Sequence, residues 1–158
     1  MKKYEFTGET KRVELWSRTA TLHRIKATVE FGFVKVGELG GWIEKEENLS
    51  HEGKAWVCGD AEVWGNAKVC GDAKVCGDAK VFLASHVLVM GSVGSRNDFT
   101  TFFRDKDNEI TVKCGCFLGK IDKFLEKVTQ THGNNKYALV YRAAVEVAKL
   151  QIELTERK

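Results

Sequence analysis

Four histidines are the side chains of this sequence best suited to act as a general base: His23, His51, His86 and His132. A histidine exchanges a proton near neutral pH, which is what acyl transfer asks of a base. If the chain is an enzyme, we expect His51 or His86 to be that base. We favour structural roles instead: His51 as a cap where the repeated segment begins, His86 on an outward strand position beside Lys68, and His132 at a helix C-terminus.

Five cysteines are the second chemically notable group. Cys114 and Cys116 are two residues apart, which places both thiols on one face of a strand. With His132 they would supply three zinc ligands, but a second Cys-x-x-Cys pair is missing from the sequence. We therefore expect no metal and no cofactor. The odd number of cysteines and a reducing compartment favour free thiols over a disulfide framework.

Composition and charge narrow the class of protein. The 158 residues are 43% hydrophobic and 30% charged, which indicates a folded chain, and the net charge is only +3. Lys68, Lys74 and Lys80 are six residues apart and so fall on different faces, which does not favour nucleic acid as a partner. No apolar run approaches the roughly 18 residues that span a bilayer. The start MKKYEFTGET lacks the apolar region of a secretory signal, so we expect a cytoplasmic protein with no membrane partner.

The sequence between residues 55 and 93 repeats every six residues. The hexads read AWVCGD, AEVWGN, AKVCGD, AKVCGD, AKVFLA and SHVLVM, and valine recurs at positions 57, 63, 69, 75, 81, 87 and 93. A helix would scatter a six-residue period over several faces, and a plain strand would not meet a glycine turn so often. The period predicts a short strand and a bend, repeated as in a β-solenoid.

These hexads resemble those of left-handed parallel β-helix proteins, the hexapeptide-repeat superfamily. The resemblance implies three hexads per triangular coil, with valines inside and alanines at the corners. Residues eighteen apart would then stack at the inter-strand spacing. The outward stacks expected from this are Cys58 with Cys76, Trp64 with Phe82, Cys70 with Leu88, Trp56 with Lys74, Glu62 with Lys80, and Lys68 with His86.

The segment before the hexads adds a narrower resemblance. The stretch LHRIKATVEFGFVKVGELGGWIEKEENLSHEG is similar to the opening of bacterial and prophage-encoded β-helix proteins, often labelled polymer-forming proteins or transferases. The tail CGCFLGKIDKFLEKVTQTHGNN is similar to tails of short phage members. The resemblance implies a fold and no secure reaction. The matching N-terminal residues are Arg24, Ile25, Gly40, Gly41, Trp42, Asn48, Leu49, Ser50 and Gly53.

The flanking segments complete the predicted architecture. A strand is expected over 21–31, a β-hairpin around the Asp-Lys-Asp-Asn turn at 105–108, and two helices beyond residue 120. We therefore predict a mainly β fold: a short left-handed parallel β-helix of two to three coils with a strand cap and a ββαα module. The corresponding domains are an N-terminal cap at 1–48, the β-helix at 49–94 and the C-terminal module at 95–158.

The apolar outward columns decide the functional prediction. Aromatic side chains in register on a solenoid face need a cover, whether from this chain, a second copy or a partner. We predict a non-enzymatic binding protein, a homo-oligomer and a phage-encoded inhibitor of host defence that binds a host protein or a small nucleotide signal. The alternative is a hexapeptide-type acyltransferase that uses coenzyme A. The predicted interface residues are Trp56, Trp64, Phe82, Leu88, Tyr137 and Tyr141.

Overall fold

The computed structural model describes residues 2–14, 18–94 and 98–154 and contains eleven strands and two α-helices in these ranges. Two short 3-10 turns lie at Glu46–Asn48 and Ala84–His86. The strands are β1 (Tyr4–Glu14), β2 (Thr19–Ala27), β3 (Leu39–Ile43), β4 (Trp56–Val57), β5 (Glu62–Val63), β6 (Lys74–Val75), β7 (Lys80–Val81), β8 (Val87–Val93), β9 (Asp98–Arg104), β10 (Ile110–Cys114) and β11 (Phe117–Lys120). The helices are α1 (Ile121–His132) and α2 (Lys136–Gln151).

The predicted fold class, a left-handed parallel β-helix with caps, is wrong. The described strands form a five-stranded mixed sheet in the order β1-β2-β3-β5-β7, a four-stranded antiparallel sheet in the order β11-β10-β9-β8, and the parallel pair β4-β6. Parallel pairing joins β3 to β5, β5 to β7 and β4 to β6, and an isolated parallel bridge joins Leu49 to Val69. The fold is therefore mixed β with two helices, since antiparallel hairpins on both sides of the repeats dominate it.

Within the repeats, the eighteen-residue register is confirmed. Glu62 pairs with Lys80, and Trp56 pairs with Lys74, in parallel bridges. The valines at 57, 63, 69, 75 and 81 are all fully buried. The bends use left-handed backbone, for example φ +64° at Gly59 and φ +66° at Gly77, which glycine adopts without strain.

The hexad pattern ends at Phe82, earlier than the sequence suggested. Leu83 and Ala84 replace the Gly-Asp turn, so the chain makes a 3-10 turn and then enters the seven-residue strand β8. Leu88 pairs with Phe102 of β9, so the predicted stack of Leu88 on Cys70 is wrong. His86 is fully buried in the 3-10 turn, and its predicted outward position beside Lys68 is also wrong.

The paired glycines of β3 have a packing reason. A Cβ at Gly40 would lie 2.8 Å from Trp56 Cζ2, and one at Gly41 would lie 2.7 Å from the carbonyl oxygen of Ala61. No real Cβ tolerates such contacts, so only glycine lets β3 approach the hexads this closely. The close approach is what allows Trp42 to pair with Glu62 of β5.

The C-terminal hairpin and both helices lie where the sequence predicts them. β9 pairs with β10 around the turn at 105–109, and α1 and α2 pack on this sheet through a core that includes Phe102, Phe124 and Tyr141. The strand β9 also makes hydrogen bonds to the hexad strands β6 and β7. Thr101 Oγ1 accepts from the Lys74 amide at 3.0 Å, and the Arg104 guanidinium donates to the Lys80 carbonyl at 2.7 Å.

Candidate functional site

The Trp64–Phe82 stack exists, and the chain itself covers it. The two rings lie 5.1 Å apart and nearly parallel. Trp64 is only 5% exposed, because Leu22 of β2 and Trp42 of β3 pack against it in a small apolar cluster. The β1–β2 hairpin, of which the sequence predicted one strand, therefore supplies the cover for this column.

The other predicted interface residues have differing exposure. Trp56 is 3% exposed and makes edge contacts with Tyr4 and Phe31. Leu88 is half-buried, and Tyr141 is buried against Phe124. Tyr137, at the start of α2, is exposed. A role for these residues in an interface with another molecule stays a prediction.

Both candidate bases, His51 and His86, make contacts within the fold through at least one ring nitrogen. The His51 ring stacks on Tyr4, its Nδ1 accepts from the Lys3 amide at 3.0 Å, and its Nε2 lies 2.8 Å from Glu46 Oε1. His86 Nδ1 accepts from the amides of Phe82 and Leu83. Burial, and then the nearby Arg104 charge, lowers the pKa of His86 to about 4. Both histidines are thus held by the fold.

The cysteines differ from expectation in one respect. Cys58 and Cys76 form a disulfide, with their Cα atoms 4.6 Å apart, so the expectation of free thiols is wrong for this pair. The eighteen-residue stack places these two residues side by side, and neither the odd number of cysteines nor the expected compartment indicated that they are oxidised. Cys70, Cys114 and Cys116 are free thiols.

The suggested zinc ligands do not form a metal site. Cys114, Cys116 and His132 line one small cavity of about 150 Å³ between the sheet and α1. No group of three or more His, Cys, Asp or Glu side chains within the described residues is arranged to hold a metal ion.

A larger cavity of about 480 Å³ lies between the hexads and the C-terminal sheet, and we call it the lysine cavity. Four parts of the chain form its walls: the loop after β2, the outward side of β4 and β6, the first residues of β9, and the turn that follows β10. The disulfide also lies in its wall. The lining residues are Gly32, Phe33, Val34, Glu38, Lys54, Trp56, Cys58, Lys74, Cys76, Asp98, Phe99, Thr101, Lys113, Gly115 and Cys116.

Three amines give the lysine cavity its electrostatic character. Lys54, Lys74 and Lys113 line it, and none of them is in an ion pair with a described residue. Burial, and then the charge of Lys74, lowers the pKa of Lys113. Like charges that lie around one cavity without forming ion pairs to described residues favour the entry of an anion. Glu38 and Asp98 also line the cavity, which leaves one net positive charge.

Aromatic rings form the other half of the lining. Phe33 is 86% exposed, and the Lys74 amine lies 5.1 Å from the centre of its ring. Phe99 is 37% exposed, and Trp56 lines the cavity with an indole Nε1 that is buried without a hydrogen-bond partner in the described structure. Exposed rings beside unpaired amines suit a flat ligand with negative charge.

Of the residues that line this cavity, only Trp56 is among the binding residues predicted from the sequence. Lys54, Lys113 and Phe33 come from segments with no shared spacing, so no periodic signal connects them. The one usable signal was Lys74 stacked against Trp56, which marked an outward face that carries both charge and a ring.

Comparison with known proteins adds no family to these observations. No family model matches the chain, and no curated protein is significantly similar to it in sequence. The resemblance to prophage β-helix proteins stays a prediction. Across residues 2–14, 18–94 and 98–154, no helix is long and apolar enough to cross a membrane.

Proposed function

We propose that this chain is a non-enzymatic binding protein whose lysine cavity takes a small anionic ligand with an aromatic ring, of the nucleoside phosphate class. The observation that carries the proposal is the convergence of Lys54, Lys74 and Lys113, none of them in an ion pair with a described residue, on a cavity that also presents Phe33 and Phe99. A nucleotide combines the two chemistries that this lining offers.

Size and interaction strength agree with such a ligand. Ligand pockets in proteins usually span about 300 to 1,000 Å³, and this cavity measures about 480 Å³. A phosphate would accept hydrogen bonds from the amines, each worth about 1.5 to 3 kcal/mol when a charge is involved. A base would stack on a phenylalanine ring, which contributes about 1 to 3 kcal/mol.

The positions of the histidines support binding over acyl transfer. Neither His51 nor His86 lines the lysine cavity, and both make hydrogen bonds within the fold. A general base must reach the proton it removes, within about 3 Å or through one water. The role of a phage-encoded inhibitor that sequesters a nucleotide signal or a host protein belongs to the same proposal and rests on the resemblance alone.

Calorimetry on the full chain tests the ligand class. ATP and GTP serve as nucleotide probes, inorganic triphosphate as the anion alone and adenosine as the ring alone. We expect a nucleotide to bind, and Lys74→Ala to weaken it at least about tenfold, because one charge-assisted hydrogen bond is lost. Lys68→Ala is the matched control, since Lys68 holds the same hexad position one repeat earlier and lies outside the cavity.

Two outcomes would reject this ligand class. One is the absence of heat from every probe. The other is binding that Lys74→Ala and Lys68→Ala weaken equally, because a general surface charge effect would then explain it. Binding of triphosphate with the same affinity as ATP would remove the aromatic part of the proposal.

The exposed face of α2 favours a second proposal, self-association with another copy of this chain. Leu139, Val147, Leu150 and Leu154 lie along one side of the helix and its end, with exposures of 60%, 44%, 88% and 41%. Such a stripe is spaced like the seam of paired helices.

Sedimentation equilibrium tests the self-association. Leu150→Lys should shift a dimer to monomer, because a charge would replace the most exposed apolar side chain of the seam. Val36→Lys is the matched control, since Val36 is 65% exposed in a loop away from α2. A monomeric wild-type chain at high concentration would reject the proposal.

A further inference from the structure

Three cysteines line the lysine cavity. Two form the Cys58–Cys76 disulfide, and the third, Cys116, is a free thiol. Cys116 is exposed in the turn between β10 and β11. That hairpin leans on the residue after Cys76, because a Cβ at Gly77 would lie 3.2 Å from Leu118 Cδ2. A free thiol and a disulfide thus border the same space.

We propose that these three cysteines form a thiol–disulfide exchange site in which Cys116 attacks the Cys58–Cys76 disulfide. The Cys116 thiolate forms a new bond to one hexad sulfur while the original S–S bond breaks. The other hexad cysteine leaves as a thiolate and takes up the proton that Cys116 released to solvent. One disulfide is replaced by another, so the step needs neither an oxidant nor a reductant.

Two lysine side chains, Lys74 and Lys113, border the same cavity as Cys116. The Lys113 ammonium interacts electrostatically with Cys116, and its amine donates to the carbonyl of the adjacent Gly115. Lys74 contributes a second positive charge to the same cavity. Thiols that react in proteins are usually exposed and beside lysine or arginine, because the thiolate attacks and a cation stabilises it.

The remaining free cysteines are placed differently. Cys114 receives a hydrogen bond from Thr100 Oγ1 at 3.4 Å and packs beside the C-terminal core, although it is only two residues from Cys116. Cys70 is exposed but does not line the lysine cavity. These two thiols therefore provide internal controls for the reactivity of Cys116.

Exchange would tie the β10–β11 turn to the hexads across the cavity. In the present form, covalent linkage joins only the neighbouring strand ends at 58 and 76. After exchange, a covalent bond would join the β10–β11 turn to the hexads and restrict access to the cavity. The exchange rests on the three cysteines that line this cavity and is independent of the ligand proposed above.

Peptide mapping tests the exchange in the full chain. Trypsin would release the same peptide, VCGDAK, from residues 69–74 and 75–80, so Cys70→Ser is the background that makes Cys76 identifiable. The protein is purified without reductant, equilibrated at mildly alkaline pH, quenched in acid, alkylated and digested. We expect a disulfide-linked peptide that joins residues 114–120 to residues 55–68 or 75–80.

Two further variants assign the sulfur. Cys116→Ser should abolish the linked peptide, and Cys114→Ser should retain it, because both cysteines occur in the fragment 114–120. Cys58→Ser, treated with oxidised glutathione as the oxidant, should form the Cys76–Cys116 bond directly. Full alkylation of Cys116 with only the 58–76 linkage, and no bond in the Cys58→Ser chain, would overturn the proposal. A linked peptide that survives Cys116→Ser would overturn it too.

Discussion

The burial of His86 predicts a specific loss of stability in acid. His86 is fully buried, and its Nδ1 already accepts two amide hydrogens, from Phe82 and Leu83. A proton on Nδ1 would displace both donors, and the Arg104 charge further opposes a cationic ring. The backbone of Glu153 offsets part of this effect. The pKa of His86 accordingly falls from 6.5 to about 4 on folding.

The sign and size of the effect follow from proton linkage. Below pH 6.5 the unfolded chain binds a proton at His86 and the folded chain does not, so acid favours unfolding until the pH reaches about 4. One pKa unit corresponds to about 1.4 kcal/mol. His86 alone should therefore remove on the order of 3 kcal/mol from the free energy of unfolding between pH 8 and pH 4.

His86→Asn isolates this contribution. The asparagine oxygen can replace Nδ1 as the acceptor for Phe82 and Leu83, but it does not titrate. Urea unfolding of both chains across this pH range gives the free energy of unfolding, and the wild type should lose on the order of 3 kcal/mol more than the variant. At pH 8 the histidine is neutral in the folded and the unfolded chain. The difference in free energy of unfolding at that pH therefore gives the pH-independent effect of the substitution. Parallel curves for the two chains would refute the reasoning.

Two further predictions concern close packing and a buried carboxylate. Gly41→Ala should lower the free energy of unfolding by about 1 to 3 kcal/mol in urea, because its Cβ would lie 2.7 Å from the Ala61 carbonyl oxygen; an unchanged value would show that β3 can move away. Asp105→Asn should cost about 2 to 4 kcal/mol in the same assay at neutral pH, because the buried carboxylate accepts hydrogen bonds from Thr111 and Lys120. Burial alone raises the pKa of Asp105, but these hydrogen bonds hold the pKa below 3.8. The difference in free energy of unfolding between the wild type and Asp105→Asn should therefore shrink as the pH falls through that lower pKa. A difference that stays constant with pH would contradict this.

The repeats were predictable because their signal is local. The eighteen-residue pairing of Val57 with Val75 came from the resemblance to left-handed β-helix proteins, which implies three hexads per coil. The buried column itself needed only a valine every six residues and a glycine after each short strand. The hairpin around residues 105–109 and both helices were predictable for the same reason. Each depends on side-chain periodicity and turn chemistry within a short window.

The sheet organisation and the cavity depend on contacts between distant segments. No local pattern indicated that β3 would approach the hexads through Gly40 and Gly41, or that the β1–β2 hairpin would cover Trp64. The lysine cavity joins Lys54 to Lys113, which a single sequence does not relate. The valines at 87 and 93 predict a repeat that extends past Phe82. The glycine turns that enforce the bend end before that point, and the repeat ends with them.

The contacts between β9 and the hexads bear on how this chain is synthesised. Thr101 accepts a hydrogen bond from the Lys74 amide, and Arg104 donates one to the Lys80 carbonyl. The Lys106 amide donates to the carbonyl of Asp78 at 3.0 Å. Until these residues leave the ribosome, a nascent chain that has formed its repeats exposes the edges of β6 and β7. Open strand edges recruit other strands. Once it has emerged, the β9 segment therefore also protects neighbouring nascent chains on one messenger RNA from associating through their repeats.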